Sequence, residues 1–248
     1  MGQVMLVDWE CVPWDAEVGM DTIPQYAVDA VFKEAPSLEG IRPPRNYTKP
    51  EAIHKWWAQK QAGFIEELQA HQVEQHASAK KYWEDQSKRP MTCKVVCAGY
   101  KFLGEEPQVL YSADDELSVL TRLEEIIVGS QSTVFVAHNG LGYDFPVMQL
   151  RGMKHKLFTL SKRFYQEKPW SGKLVDTMKL WPGTRRGYVK LSEVMRFLDV
   201  DISENPFDGS QVLPAFLRGD HEIIQKHALE DLKELEIAYK CLKLIGIC

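Results

Sequence analysis

Two hydrophobic periods alternate along the chain. From Val4 to Glu10 a short apolar and β-branched run ends in Asp8 and Glu10 before Cys11-Val12-Pro13, which predicts a first strand with two acids at its C-terminal end. Residues 13 to about 48 contain Pro13, Pro24, Pro36, Pro43 and Pro44 with weak periodicity, and predict an irregular excursion. After Pro50 the period becomes helical: Ile53, Trp56, Trp57, Phe64, Ile65 and Leu68 recur at helix spacing up to Asp85, with Thr48 as a candidate cap. Strands are predicted over 92–103 and 108–111, joined by the turn Gly104-Glu105-Glu106-Pro107, then a helix over 114–128 and a buried strand over 133–137. Helices are predicted near 144–152, 157–166, 174–181, 190–198, 209–218 and 221–244. The expected architecture is α/β: one domain over 1–248 whose first strand is followed by an irregular and helical insertion over 13–90.

Composition narrows the class. The chain has 248 residues, 44% hydrophobic and 26% charged, with no run near the roughly 18 apolar residues of a membrane span, so a soluble globular protein without a membrane partner is expected. Residues 1–8 lack the basic and long apolar regions of a secretory signal. Five cysteines with no CxxC pair argue against a disulfide framework and a zinc site, and predict a cytoplasmic location. Cys93 and Cys97 are expected as small buried residues on one face of a strand.

The net charge of −5 argues against a protein that simply coats nucleic acid, but its distribution is uneven: residues 151–190 carry 11 Lys and Arg against 2 acids. Within that stretch Lys162, Arg163, Arg185 and Arg186, interleaved with Tyr165, Trp170 and Tyr188, suit a phosphate backbone; a solvated basic surface accounts for them equally well. The pair Trp56-Trp57 suits stacking on unpaired bases, with at least one of the two expected in the core.

Three elements carry candidate chemistry. Asp8-Trp9-Glu10 puts two carboxylates on one face of a strand while Trp9 points to the other, an arrangement that, if buried, a hard cation such as Mg²⁺ or Mn²⁺ would relieve and that, taken alone, more often marks strand-end acids facing solvent. His138-Asn139-Gly140-Leu141-Gly142-Tyr143-Asp144-Phe145-Pro146 reads as a strand end, a glycine turn and a helix start, with Asp144 in the first helical turn as a cap or a third metal-site carboxylate. His227-Ala228-Leu229-Glu230-Asp231 places His227 and Asp231 on one helix face.

In order and spacing these elements resemble the DnaQ-like, or DEDD, exonuclease superfamily of the ribonuclease H-like fold. Leu174-Val175-Asp176-Thr177-Met178, Leu191-Ser192-Glu193-Val194 and Asp208-Gly209-Ser210-Gln211-Val212 are similar to the branch of predicted 3′–5′ exonucleases that resemble family-B polymerase proofreading domains. Asn46-Tyr47-Thr48-Lys49-Pro50-Glu51-Ala52-Ile53 is similar to phage-encoded members, which would place the protein in a host cytoplasm. The resemblance implies a central mixed β-sheet flanked by helices, with a long helical insertion after the first strand. It implies two-metal phosphodiester hydrolysis at a DNA 3′ end, single-stranded or frayed, with Asp8, Glu10, Asp144 and Asp231 holding two Mg²⁺ or Mn²⁺ ions and His227 as general base. Substrate contacts are expected from Asn139, Trp9, Cys11, Tyr143, Arg185 and Arg186; Trp9 reads equally as core packing. Asp176 is given no metal role.

The chain departs from the family at one point. The histidine subclass places its histidine five residues before the final Asp, where Lys226 stands, and the tyrosine subclass four before, where His227 stands. An RNA-trimming enzyme of the same superfamily and a non-catalytic, polymerase-associated module are the alternatives. A chain of this length has no room for a polymerase domain, so any proofreading would be in trans with a replication partner.

Overall fold

The computed structural model describes residues 3–18, 22–130, 134–165, 173–181, 188–200 and 207–247. In chain order it runs β1 (Val4–Pro13), α1 (Gln25–Ala30), α2 (Pro50–Glu84), β2 (Cys93–Phe102), β3 (Gln108–Tyr111), α3 (Glu116–Ser130), β4 (Val134–Ala137) and α4 (Asp144–Lys154). There follow α5 (Phe158–Arg163), β5 (Leu174–Asp176), α6 (Thr177–Leu180), α7 (Leu191–Phe197), α8 (Val212–Arg218) and α9 (His221–Leu244). The chain forms two compact units, one of residues 18–84 and one of everything else.

The larger unit is built on a mixed five-stranded sheet in the order β3-β2-β1-β4-β5. β1 pairs antiparallel with β2 and parallel with β4, and β5 extends the parallel half beside β4. The helix expected over 174–181 therefore begins three residues late. Leu174, Val175 and Asp176 are all buried, as a short strand covered on both faces requires, and the helix starts only where the Asp176 side chain accepts from the Met178 N–H.

Alternation on β1 divides the core. Met5, Val7, Trp9 and Cys11 pack with α3, α4 and α5 on one face, whereas Leu6 packs with Leu232, Leu235 and Tyr239 of α9 on the other. On β2 the alternation is broken by a bulge. Glu10 pairs with Cys97 but Cys11 pairs with Val95, so Val96 is skipped in the register. Val95 and Ala98 consequently face the same core. This corrects the expectation for Cys93 and Cys97: both are buried, but the extra residue turns Cys97 to the α9 face, next to Glu10 and Asp8, while Cys93 stays with Trp9 and Cys11.

The smaller unit is α1 and the 35-residue helix α2 with the segments around them. α2 begins at Pro50, with the Lys49 carbonyl accepting from the Ala52 and Ile53 N–H groups, so Thr48 lies outside the cap position. Its only buried residues are Ala79 and Trp83. Trp56 and Trp57 are both half-buried, contrary to the expectation that at least one would be core.

Candidate active site

Parallel pairing of β1 with β4 spans only Val4 to Leu6. Asp8 and Glu10 therefore stand beyond the last paired residues of β4, on the α9 face of β1. There the chain leaves β4 through the turn 138–143 and enters α4. Two features hold that turn. A Cβ on Gly140 would come within 2.7 Å of the Phe145 ring and 2.8 Å of the Ala137 Cβ, so only glycine fits. Asn139 adopts a left-handed φ of 69°. The buried Asp176 carboxylate then accepts from the Asn139 N–H at 3.0 Å and the Leu141 N–H at 3.1 Å.

Asp144 is the first residue of α4 and is 4% exposed. Its carboxylate accepts from its own backbone N–H and from that of Trp9, and the Trp9 indole N–H donates to the Asp144 carbonyl at 3.1 Å. Trp9, pointing away from the two acids beside it, thus ties the third acid to the same strand.

The remaining acid comes from α9. That helix can lie close to β1 and β2 because residue 99, opposite Asp8 in the register, is glycine: a Cβ there would meet Leu232 Cδ1 at 3.1 Å and the Asp8 carbonyl at 3.2 Å. His227 and Asp231, one turn apart, face the strand acids. His227 Nε2 is 3.5 Å from Glu10 Oε1, and its Nδ1 is 3.5 Å from Asp231 Oδ1. Lys226 points outward, with its side chain 65% exposed and 3.6 Å from Glu230. The rotation of α9 therefore presents the residue four before Asp231, not five, to the site.

The electrostatics follow from this crowding. Burial, then the neighbouring charges of Glu10, Asp231 and Asp144, push the Asp8 carboxyl well above its ordinary range; burial with Asp231 and Asp144 does the same to Glu10. Burial pushes Asp144 up to about 7 against its two backbone hydrogen bonds, and burial with Glu230 raises Asp231 to about 7. Burial lowers the His227 pKa despite the nearby Glu230 and Asp208, so its ring is neutral at neutral pH. Asp8 Oδ2 is buried with no hydrogen-bond partner.

The structure thus brings Asp8, Glu10, Asp144, His227 and Asp231 together. Asn139 lies on the turn that leads from β4 to Asp144, held by its N–H bond to Asp176. Trp9 is 3% exposed in the core, and Cys11 is buried there, hydrogen-bonded to the side chains of Cys93 and Tyr143. The Tyr143 hydroxyl donates to the Ser87 carbonyl at 2.6 Å. None of these three side chains lines the cleft described next. Arg185, Arg186 and Trp170 lie outside the described residues. Arg151, counted in the basic stretch, is buried against Glu116, its Nε donating at 2.8 Å.

Sequence reasoning missed the cleft itself, a cavity of about 390 Å³ running from His227 and Asp231 to Glu234, Asp208, Phe207 and Lys190. Burial, then Asp231 and Glu230, raises Glu234 to about 7. Its signal was present, since residues 227, 230, 231 and 234 form one helical stripe. The Phe207 ring packs edge-on to His227 at 5.0 Å, a contact with no local sequence signature.

Among the described residues no three His, Cys, Asp or Glu side chains are already gathered so as to hold an ion. The donor chemistry nevertheless fits a hard divalent cation. The four carboxylates Asp8, Glu10, Asp144 and Asp231 come from three elements and repel one another, and one buries an oxygen without a partner.

No family model matches the chain, and no curated protein does. Among solved structures it is similar to the family B DNA polymerase from the hyperthermophilic archaeon Pyrobaculum calidifontis, with a TM-score of 0.53 and 14% identity. The alignment covers 98% of this chain and 25% of that one. At this identity the likeness is one of fold: a mixed sheet flanked by helices. The chain spans about a quarter of that polymerase's length. Among the described residues no helix is long and apolar enough to cross a membrane.

Proposed function

We propose that the chain is a metal-dependent 3′–5′ exonuclease of ribonuclease H-like fold that hydrolyses the terminal phosphodiester of DNA. The observation that carries this reading is the convergence of Asp8, Glu10, Asp144 and Asp231, buried carboxylates that raise one another's pKa and whose mutual repulsion a divalent cation would relieve. The similarity to a DNA polymerase supports a nucleic-acid substrate.

When bound, two Mg²⁺ or Mn²⁺ ions would supply an activated water and offset the charge of the scissile phosphate. The chain's own residues do the rest. His227, neutral and 9% exposed at its side chain, takes the water's proton on the nitrogen facing Glu10. Trp9 and Asp176 keep Asp144 and the Asn139 turn in place, and Asn139 borders the terminal nucleotide.

The test is digestion of a 5′-labelled single-stranded DNA with Mg²⁺, Mn²⁺ or EDTA, beside a matched RNA. The expected result is a metal-dependent ladder shortening from the 3′ end, absent in Asp8→Ala and reduced about 10²- to 10⁴-fold in His227→Ala. Faster cutting of RNA would reassign the substrate. No cleavage of either would reject the nuclease and favour a binding module.

A further inference from the structure

The unit of residues 18–84 has a role of its own to explain. From Arg42 to Phe64 it carries five Lys and Arg against one acid, Glu51, with Glu39 before that stretch and Glu66 and Glu67 after it. Arg42, Arg45, Lys49, Lys55 and Lys60 are all exposed, and none has an ion-pair partner among the described residues. Lys33 of the same unit, by contrast, pairs with Glu74 at 2.7 Å. A solvated helix usually intersperses its cations with acids at i, i+4. Here Lys55 has Glu51 four residues before it without an ion pair, and Lys60 has the aromatics Trp56 and Phe64 at i−4 and i+4.

Trp56 and Trp57 meet edge to face, ring centroids 5.0 Å apart, and Lys60 sits 6.0 Å over the Trp56 ring. Trp56, Lys60 and Phe64 line a cleft of about 350 Å³ together with Leu38, Ile41 and one acid, Glu67. Gly63 stands in its wall, and a Cβ there would touch nothing within 4 Å, so the cleft is open at that point. Arg42 follows Ile41 directly and Lys55 precedes Trp56, so cations flank an aromatic-walled slot in sequence on both sides. An apolar protein segment would leave those charges unmatched. An unpaired nucleic-acid strand satisfies both halves, its bases offering flat faces to the aromatics and its phosphates charge to the cations.

We infer that this unit carries a second nucleic-acid contact surface, in which the Trp56 cleft takes a base of an unpaired strand and Arg42, Arg45, Lys49, Lys55 and Lys60 meet its phosphates. The inference rests on the reading of the chain as a nucleic-acid enzyme but not on its chemistry.

The test is fluorescence-anisotropy binding of the full chain to a 20-nucleotide oligo(dT) in EDTA over a series of salt concentrations. In the variant Arg42→Ala, Arg45→Ala, Lys49→Ala, Lys55→Ala the slope of log affinity against log salt falls by about 3, since each phosphate contact on a single strand contributes roughly 0.7. Trp56→Leu weakens binding about 5- to 100-fold, and Trp56→Phe, which keeps a stacking face, restores most of it. Circular dichroism melts matching the wild type establish that the variants fold. An unchanged slope in the four-site variant would overturn the inference. So would self-association of the wild type, measured by sedimentation, that the same substitutions abolish while oligo(dT) binding persists. Because no turnover is read, a chain that binds through this surface yet cuts nothing rejects the nuclease alone; a nuclease whose binding ignores the substitutions rejects this surface alone.

Discussion

Replacing Asp144 by asparagine removes a charge that the folded chain holds at a cost. Burial, with Asp176 and Asp231 nearby, raises this carboxyl from 3.8 to about 7. The sign follows from linkage: the folded state binds the proton more tightly than the unfolded chain, so metal-free stability is highest below the unfolded value and falls as pH rises towards the folded one. Between pH 5 and pH 8 a raised group of this size removes about 3 kcal/mol, at 1.36 kcal/mol per unit of pKa difference. For a chain of this length that is a fall in melting temperature of roughly 6–12 °C. Calorimetry in EDTA across that pH range is the assay. Wild type should lose stability with rising pH, Asp144→Asn should lose markedly less and be the more stable protein at pH 8, and added Mn²⁺ should restore the wild type far more than the variant. Equal pH slopes, or a variant less stable than wild type at pH 8, would refute the electrostatic account of the site.

Three further perturbations follow from the packing. Gly99→Ala drives a methyl against Leu232 and the Asp8 carbonyl, so a urea melt should show a loss of about 1–3 kcal/mol, accompanied by lower activity because α9 carries His227 and Asp231. Glu116→Ala strands the buried Arg151 guanidinium and should cost about 3–5 kcal/mol. In wild type, burial would raise Glu116, but hydrogen bonds from Arg151 and the Val95 N–H hold it below its usual range, so the stability it contributes is present at neutral pH and lost as the solution is acidified through that lowered value. Trp9→Phe keeps the core ring but deletes the indole bond to the Asp144 carbonyl; the expected outcome is about 0.5–1.5 kcal/mol of stability and a fall in kcat with KM little changed.

The parts of the site legible in the sequence are those set by local periodicity. Alternation fixed which way Asp8 and Glu10 point, and the helical period put His227 and Asp231 on one face. What escaped depends on pairing or on distant contact. Alternation alone predicts the wrong face for Cys97 because a bulge is a property of two strands, and nothing in residues 93–97 by themselves announces that Val96 is skipped. Leu174-Val175-Asp176 reads as helix in the sequence because a three-residue strand is too short to show a period, and only the neighbouring β4 edge decides it. The meaning of Gly99 required knowing that Leu232 would cross it. Trp56 and Trp57 looked like core because aromatic residues at helical spacing usually are; α2 buries only its far end.

The register of β1 and β2 runs to Pro13 opposite Cys93, and the Trp14 N–H still donates to the Thr92 carbonyl at 3.0 Å. The two strands that carry and face Asp8 and Glu10 are therefore joined like the arms of a hairpin, with residues 18–84 as the loop between them. Closing such a loop depends only logarithmically on its length, so shortening those 67 residues to about ten would alter the closure term by roughly 2 kcal/mol. Loop closure therefore sets little limit on the length of that segment. Its length and surface can be remade by insertion or deletion while the paired strands keep the acids in register.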